Sequence, residues 1–200
     1  MRSYKKTLFI LLCLLFILLL GGAYLLYNRL APTLDSNQLA VQNPPAQSST
    51  DPGQADTQQY TKAPDFTVYD RSGNSVHLSD YIGKPVVLNF WASWCGPCQM
   101  EMPDFQEKYL ELGEQVQFLM INTTDGSRET VDTAAAFIEQ QGYTFPVFYD
   151  SASDAAITYG AYSIPTTYFI DAEGNAIARA SGAIDSSILQ QGIDMIVPAA

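Results

Sequence analysis

At 200 residues the chain is long enough for one ordinary domain with appendages. Residues 1–29 carry four basic side chains (Arg2, Lys5, Lys6, Arg29) and no acidic one, leaving 6 Lys and Arg against 21 Asp and Glu, or −15, in the remainder. So acidic a surface excludes nucleic acid and anionic lipid as its partners, because phosphate contacts need clustered Lys or Arg, and its plain consequence is solubility.

From residue 8 to residue 27 there are twenty residues without a charge, mostly Leu, Ile and Phe. At about 1.5 Å per residue, such a helix spans the roughly 30 Å hydrocarbon core of a bilayer. Lys5 and Lys6 precede the run and only Arg29 follows closely, so the positive-inside bias leaves the amino terminus in the cytoplasm and exports the chain beyond Arg29. Residues 1–29 therefore read as a transmembrane anchor, giving a single-pass protein with its domain on the extracytoplasmic side of the cell membrane. A cleaved signal peptide is the alternative, because Gly21 and Ala23 are small residues at the −3/−1 spacing. Lipidation at Cys13 fits poorly, since the cysteine comes too early in the run after Leu12, and Cys13 reads as an inert apolar residue.

Residues 30–62 are rich in Pro, Gln, Ser, Thr and Asp and show no period of 2 or 3.6. Little there can be buried to offset chain entropy, so the segment reads as a disordered tether with a reach of about 30 Å.

The domain is expected over 63–200. Residues 66–69 read as a strand, DRSGN at 70–74 as a turn and 76–78 as the hairpin partner, followed by a short helical turn capped by Ser79 or Asp80. VVLNFW at 86–91 and VQFLMIN at 116–122 are near-continuous apolar runs, the mark of strands buried on both faces. A helix is expected from Cys95 to about Leu112, and a second from about Arg128 to Gln141, stopped by Gly142. Then come a strand at 146–149, a short helix at 153–159, a hairpin over 166–181 with its turn at DAEGN, and a last helix capped by Asp185. This alternation predicts an α/β fold with a central mixed sheet flanked by helices.

The chemistry concentrates at N-F-W-A-S-W-C-G-P-C, residues 89–98. Three cysteines are too few for a disulfide framework, and the single C-x-x-C lacks a second pair to complete a four-cysteine zinc site. His77, the one histidine, reads as a surface or hairpin residue; no metal and no cofactor are expected. Thiolate is the nucleophile in disulfide exchange, and a helix amino terminus lends positive potential and unpaired N–H donors to a sulfur placed there. Cys95 thus reads as the attacking thiol, with Cys98 within the first turn to resolve the mixed disulfide. Pro97 is tolerated because first-turn N–H groups have no intrahelical acceptor.

WCGPC resembles the thioredoxin active site, and the longer pattern resembles the membrane-anchored TlpA/ResA-like thiol–disulfide oxidoreductases. The matching residues are Ala63-Pro64-Asp65-Phe66, LNFWASWCGPCQMEMP at 88–103, the helix at 128–141, FPVFYD at 145–150 and SIPTTYFIDAEGN at 163–175, about two thirds of the chain. The resemblance implies a thioredoxin-like fold with an N-terminal β-hairpin and an inserted helix. It implies a cis peptide at Ile164-Pro165 beside the pair, presenting the Ile164 backbone to substrate, and a kink at Pro103. It also implies a catalytic role for Glu101, three residues after Cys98 and so on the same helix face, as the base that takes the Cys98 proton. Ordinary thioredoxins carry a buried Asp in the preceding strand, where this chain has the non-titrating Asn89. Trp94, Gly96 and Pro97 are implied as active-site support, with Trp94 and Trp91 serving packing and substrate contact.

By the same resemblance the chain reduces disulfides of exported proteins, apocytochrome c haem-site disulfides among the candidates, and a membrane electron donor of the CcdA type resets the pair. It is expected to act as a monomer. A dithiol oxidase or isomerase of the same fold differs only in redox potential. A thiol peroxidase would need its cysteine in a Pro-x-x-x-Thr/Ser-x-x-Cys setting, which is missing. A redox-inert binding module leaves the intact pair without a use.

Overall fold

Both faces of the strand at Val86–Trp91 are buried, and the sheet is built outward from it. In this computed structural model, residues 14–16, 18–22, 39–41 and 60–197 are described. In chain order the strands are β1 (Leu39–Val41), β2 (Thr61–Lys62), β3 (Thr67–Tyr69), β4 (Ser75–His77), β5 (Val86–Trp91), β6 (Gln117–Asn122), β7 (Val147–Tyr149), β8 (Thr166–Ile170) and β9 (Asn175–Ser181). The helices are α1 (Gly96–Leu112), α2 (Val131–Gln141), α3 (Asp154–Thr158) and α4 (Ser186–Ile196), with a 3-10 turn at Leu78–Tyr81.

The strands form one mixed sheet in the order β1-β9-β8-β5-β6-β7-β3-β4, and β2 also pairs with β9. β5 runs parallel to β6 and antiparallel to β8, with Asn89 opposite both Met120 and Thr167. Alternation along β5 divides the core: Val87 and Trp91 join one buried cluster, and Val86, Leu88 and Phe90 the other. The first cluster takes Met102 and Phe105 of α1, Ala134 of α2, and Leu189, Ile193 and Ile196 of α4. The second takes Phe66, Val68 and Leu78 of the amino-terminal hairpin region and Ala155 of α3.

Local chemistry sets the element ends. The turns after β3 and β8 repeat one device: Asp70 and Asp171 each accept from the N–H and the side-chain amide of the Asn four residues on. Gly73 (φ 84°) and Gly174 (φ 80°) supply the left-handed step that each turn needs. α2 begins at Val131 rather than near Arg128, because Thr130 takes the N-cap role with Thr133 in a capping box. α1 continues through Pro103 as one helix.

One expectation for the tether is corrected. Leu39–Val41 pair antiparallel with Ala178–Ala180 of β9, and Leu39 is buried against the core. The strand satisfies β9 backbone groups that would otherwise form an open edge, and one apolar side chain secures it. Residues 30–38 and 42–59 lie outside the described residues. So does most of the expected membrane span, including Cys13 and Ala23. Residues 14–16 and 18–22 are helical and exposed, in the separate unit Met1–Asn37. Among the described residues, no helix is long and apolar enough to cross a membrane.

α4 lies so close on β8 that a Cβ at Gly192 would come within 2.2 Å of the Phe169 ring. Gly192→Ala should therefore destabilise the domain by about 1–3 kcal/mol in urea titrations. In an unobstructed helix the same change would stabilise by roughly 1 kcal/mol, so a gain in stability would refute this packing.

Candidate active site

Strand β5 ends at Trp91, four residues turn, and α1 begins at Gly96 with Cys95 as its N-cap. The turn is closed by the Cys95 N–H donating to the Ala92 carbonyl (3.2 Å). Cys95 and Cys98 are joined in a disulfide with their Cα atoms 5.2 Å apart. The Cys98 N–H donates to Cys95 Sγ at 3.2 Å, so one unpaired donor of the helix start is already directed at that sulfur. Both cysteines are buried, while Gly96 and Pro97 are exposed in the first turn.

The residues expected to surround the pair do so on one side. The Ile164–Pro165 peptide is cis, and the Ile164 carbonyl oxygen lies 3.7 Å from Cys95 Sγ. Pro165 is buried, and its carbonyl accepts from the Gly182 N–H. Trp94 is exposed at 41% of its surface, with the Arg128 guanidinium 3.5 Å from its ring centroid, whereas Trp91 is wholly buried beside Phe137. The structure thus separates the two tryptophans into a surface residue and a core residue.

Glu101 is buried on the inner face of α1, one turn beyond Cys98. Its Oε1 accepts from Asn89 Nδ2 (2.8 Å), and its Oε2 accepts from the Ile184 N–H (3.0 Å). Burial pushes the carboxyl up to about 7, and these two hydrogen bonds offset only part of the rise. Asn89 Nδ2 also donates to Thr167 Oγ1 (3.0 Å), and Asn89 Oδ1 has no partner. Rotated by 180°, the Asn89 amide would offer its oxygen to a protonated Glu101, so one side chain can serve both charge states.

Residues 128 and 129 contribute a second set of contacts that sequence reasoning missed. Glu129 is fully buried. Its carboxylate accepts from the Ser93 N–H (2.9 Å), the Ser93 hydroxyl (2.7 Å) and Asn122 Nδ2 (2.7 Å). The expected helix start at Arg128 would have made Glu129 an exposed first-turn acid, and no periodicity marks it otherwise. His77 stands in the hairpin, its Nδ1 3.3 Å from Thr67 Oγ1.

Residues 60–179 match the AhpC/TSA family. The thiol–disulfide oxidoreductase ResA of Bacillus thuringiensis subsp. konkukian is 35% identical over 140 residues, covering 68% of this chain and 78% of that protein. This chain belongs to the ResA-like thiol–disulfide oxidoreductases. The fold agrees: a putative thiol:disulfide interchange protein DsbE from Chlorobium tepidum superposes with a TM-score of 0.60 at 31% identity, covering 67% of this chain and 94% of that one. The pneumococcal exposed lipoprotein thioredoxin of Streptococcus pneumoniae gives 0.56 at 32% identity, covering 66% and 98%. The domain is a thioredoxin-like α/β fold, and thiol–disulfide exchange is the activity of this ResA-like chain, with the C-x-x-C pair at bonding distance.

Glu101 also predicts a pH effect on stability. Folding raises its pKa from 4.5 to about 7, so its contribution is fully present below pH 4.5 and is lost as pH rises through 7. Glu101→Gln does not titrate. Between pH 5 and pH 8 the variant should gain about 2–3 kcal/mol relative to wild type in urea titrations. Parallel pH profiles for the two proteins would show that Glu101 ionises as in solution.

Proposed function

We propose that this oxidoreductase works on the extracytoplasmic side of the membrane and reduces disulfides in exported proteins, with Cys95 attacking and Cys98 resolving. The observation that carries the assignment is the placement of Cys95 at the N-cap of α1, its sulfur accepting the Cys98 N–H. The same donor and the helix potential would hold a Cys95 thiolate once the pair is reduced.

The Cys95 thiolate attacks one sulfur of the substrate disulfide, forming a mixed disulfide and expelling the other substrate sulfur as a thiolate. Glu101 takes the proton from Cys98, whose sulfur then attacks Cys95 Sγ, releasing the second substrate thiol and leaving the Cys95–Cys98 disulfide. Two electrons pass to the substrate. A membrane dithiol donor of the CcdA type returns them to the pair. A carboxyl with a pKa of about 7 suits Glu101 to accept and release a proton near neutral pH. The Ile164 backbone beside Cys95 and the exposed Trp94 ring would receive the substrate chain, and Gly96 and Pro97 leave the approach to Cys95 open.

Residues 8–27 supply the anchor in this reading: twenty uncharged residues, with Lys5 and Lys6 before them. The exposed pneumococcal relative points to the same side of the membrane. The protein should then require detergent for extraction, and a soluble mature chain beginning near Tyr24 would replace the anchor with a cleaved signal.

Three measurements on the reduced protein test the chemistry. Limited alkylation near pH 7 should label Cys95 first, and preferential labelling of Cys98 would reverse the roles. Cys98→Ala should retain mixed disulfides with its substrates, which mass spectrometry identifies. Glu101→Gln should leave the first attack intact and slow resolution about tenfold or more in stopped-flow traces, less than a full general-base loss because water can substitute. Unchanged resolution would remove Glu101 from the mechanism.

A further inference from the structure

The turn that presents Cys95 is held from below by a buried charge. Glu129 Oε1 accepts from the Ser93 N–H and from Asn122 Nδ2, and Oε2 accepts from the Ser93 hydroxyl. Asn122 ends β6 opposite Trp91, the last residue of β5, so the carboxylate ties the end of β6 to the turn that follows β5. The Gln99 side chain of α1 holds the Ser93 carbonyl from the other side. Ser93 is thus fixed through its N–H, its hydroxyl and its carbonyl, two residues before the nucleophile.

The contacts themselves do not require a charge. A glutamine could accept both N–H bonds on its oxygen and donate its amide to the Ser93 oxygen, since a hydroxyl can also accept. An amide would make the same three contacts without the several kcal/mol that a buried carboxylate costs in desolvation. The retained charge therefore has an effect that shape alone does not give, and the turn it holds through Ser93 carries Cys95 two residues on.

We propose that Glu129 is a positioning residue whose carboxylate fixes the Cys95 turn and whose negative charge disfavours the Cys95 thiolate, biasing the pair toward reduction of its substrates. This rests on Cys95 being the attacking thiol. The physical link is direct: stabilising the reduced form makes a dithiol pair oxidising, so destabilising its thiolate makes the pair more reducing. Other charges face the same sulfur or its turn: the positive end of α1, the Arg128 guanidinium on Trp94, Asp125 beside it, and Glu101 behind Cys98. Changing Glu129 alone leaves all of these in place.

The test uses the full chain, with wild type, Glu129→Gln and Ser93→Ala compared. Alkylation rates of the reduced proteins are followed against pH, each cysteine being read by peptide mass spectrometry, and each pair is equilibrated against glutathione above the Cys95 pKa. Two chain steps separate Ser93 from Cys95, which puts the charge at most about 15 Å from the sulfur. Over roughly 10–15 Å at an effective dielectric of 20–80, removing it should lower the Cys95 pKa by about 0.3–1 unit. The glutathione equilibrium should move about two- to tenfold toward the dithiol. Ser93→Ala keeps the charge, so its Cys95 profile should not move downward. Glu129→Gln with an unmoved profile and potential, whatever its melting temperature, would overturn the proposal and leave Glu129 a structural clamp. A wild type that alkylates first at Cys98 would instead overturn the nucleophile assignment, and the two failures are read from different proteins.

Discussion

The first turn of α1 ends in N–H groups with no intrahelical acceptor, and the chain places a sulfur where they point. Only if β5 stops at Trp91 and the next four residues turn back tightly does Cys95 fall on that N-cap, with Cys98 one turn inside. The six buried side chains of β5 hold its register, because a slip by one residue would exchange Val87 and Trp91 with Val86, Leu88 and Phe90 between the two core clusters. The contacts of Ser93 fix the turn. The reactivity of the pair is in this sense a property of the sheet, expressed at its carboxyl edge.

Two buried carboxylates flank that junction, and their surroundings treat them differently. Glu101 lies on α1 one turn beyond Cys98, with two donors, one of them from an adaptable amide, and desolvation raises its pKa to about 7. Glu129 is bonded to the turn that carries Cys95, with three donors on its two oxygens. The first is an acid that burial shifts, the second an acid that three donors hold in place. The two acids are of one residue type, and their surroundings differ in the number and kind of donors that reach them.

The edges of the sheet bear on how the domain is carried. β9 is covered by two short segments, β1 and β2, drawn from the polar stretch that precedes the domain. Both run antiparallel to it, β1 against Ala178–Ala180 and β2 against Asn175 and Ala176. The domain therefore begins, in packing terms, at Leu39, and composition alone would have begun it at Ala63.

The sequence by itself determined the strand–turn–helix around WCGPC, the two buried central strands, both Asp-x-x-Gly-Asn turns and the placing of Glu101 on the Cys98 face of its helix. Each of these is written in local periodicity, spacing or turn chemistry, which needs no knowledge of distant residues. Resemblance added the expectation of a cis peptide at Ile164–Pro165, and the structure carries one. The tertiary structure alone decided that Leu39–Val41 form an edge strand, that Trp91 is core while Trp94 is surface, and that Asn89, Thr167 and the Ile184 N–H converge on Glu101. It also decided that Glu129 faces inward to Ser93 across 36 residues of chain. A buried polar group is legible only once its partners are brought to it, because an isolated acidic residue before a helix reads as an exposed cap. Long-range pairing supplies the donors that make burial affordable, and no local pattern records which donors those will be.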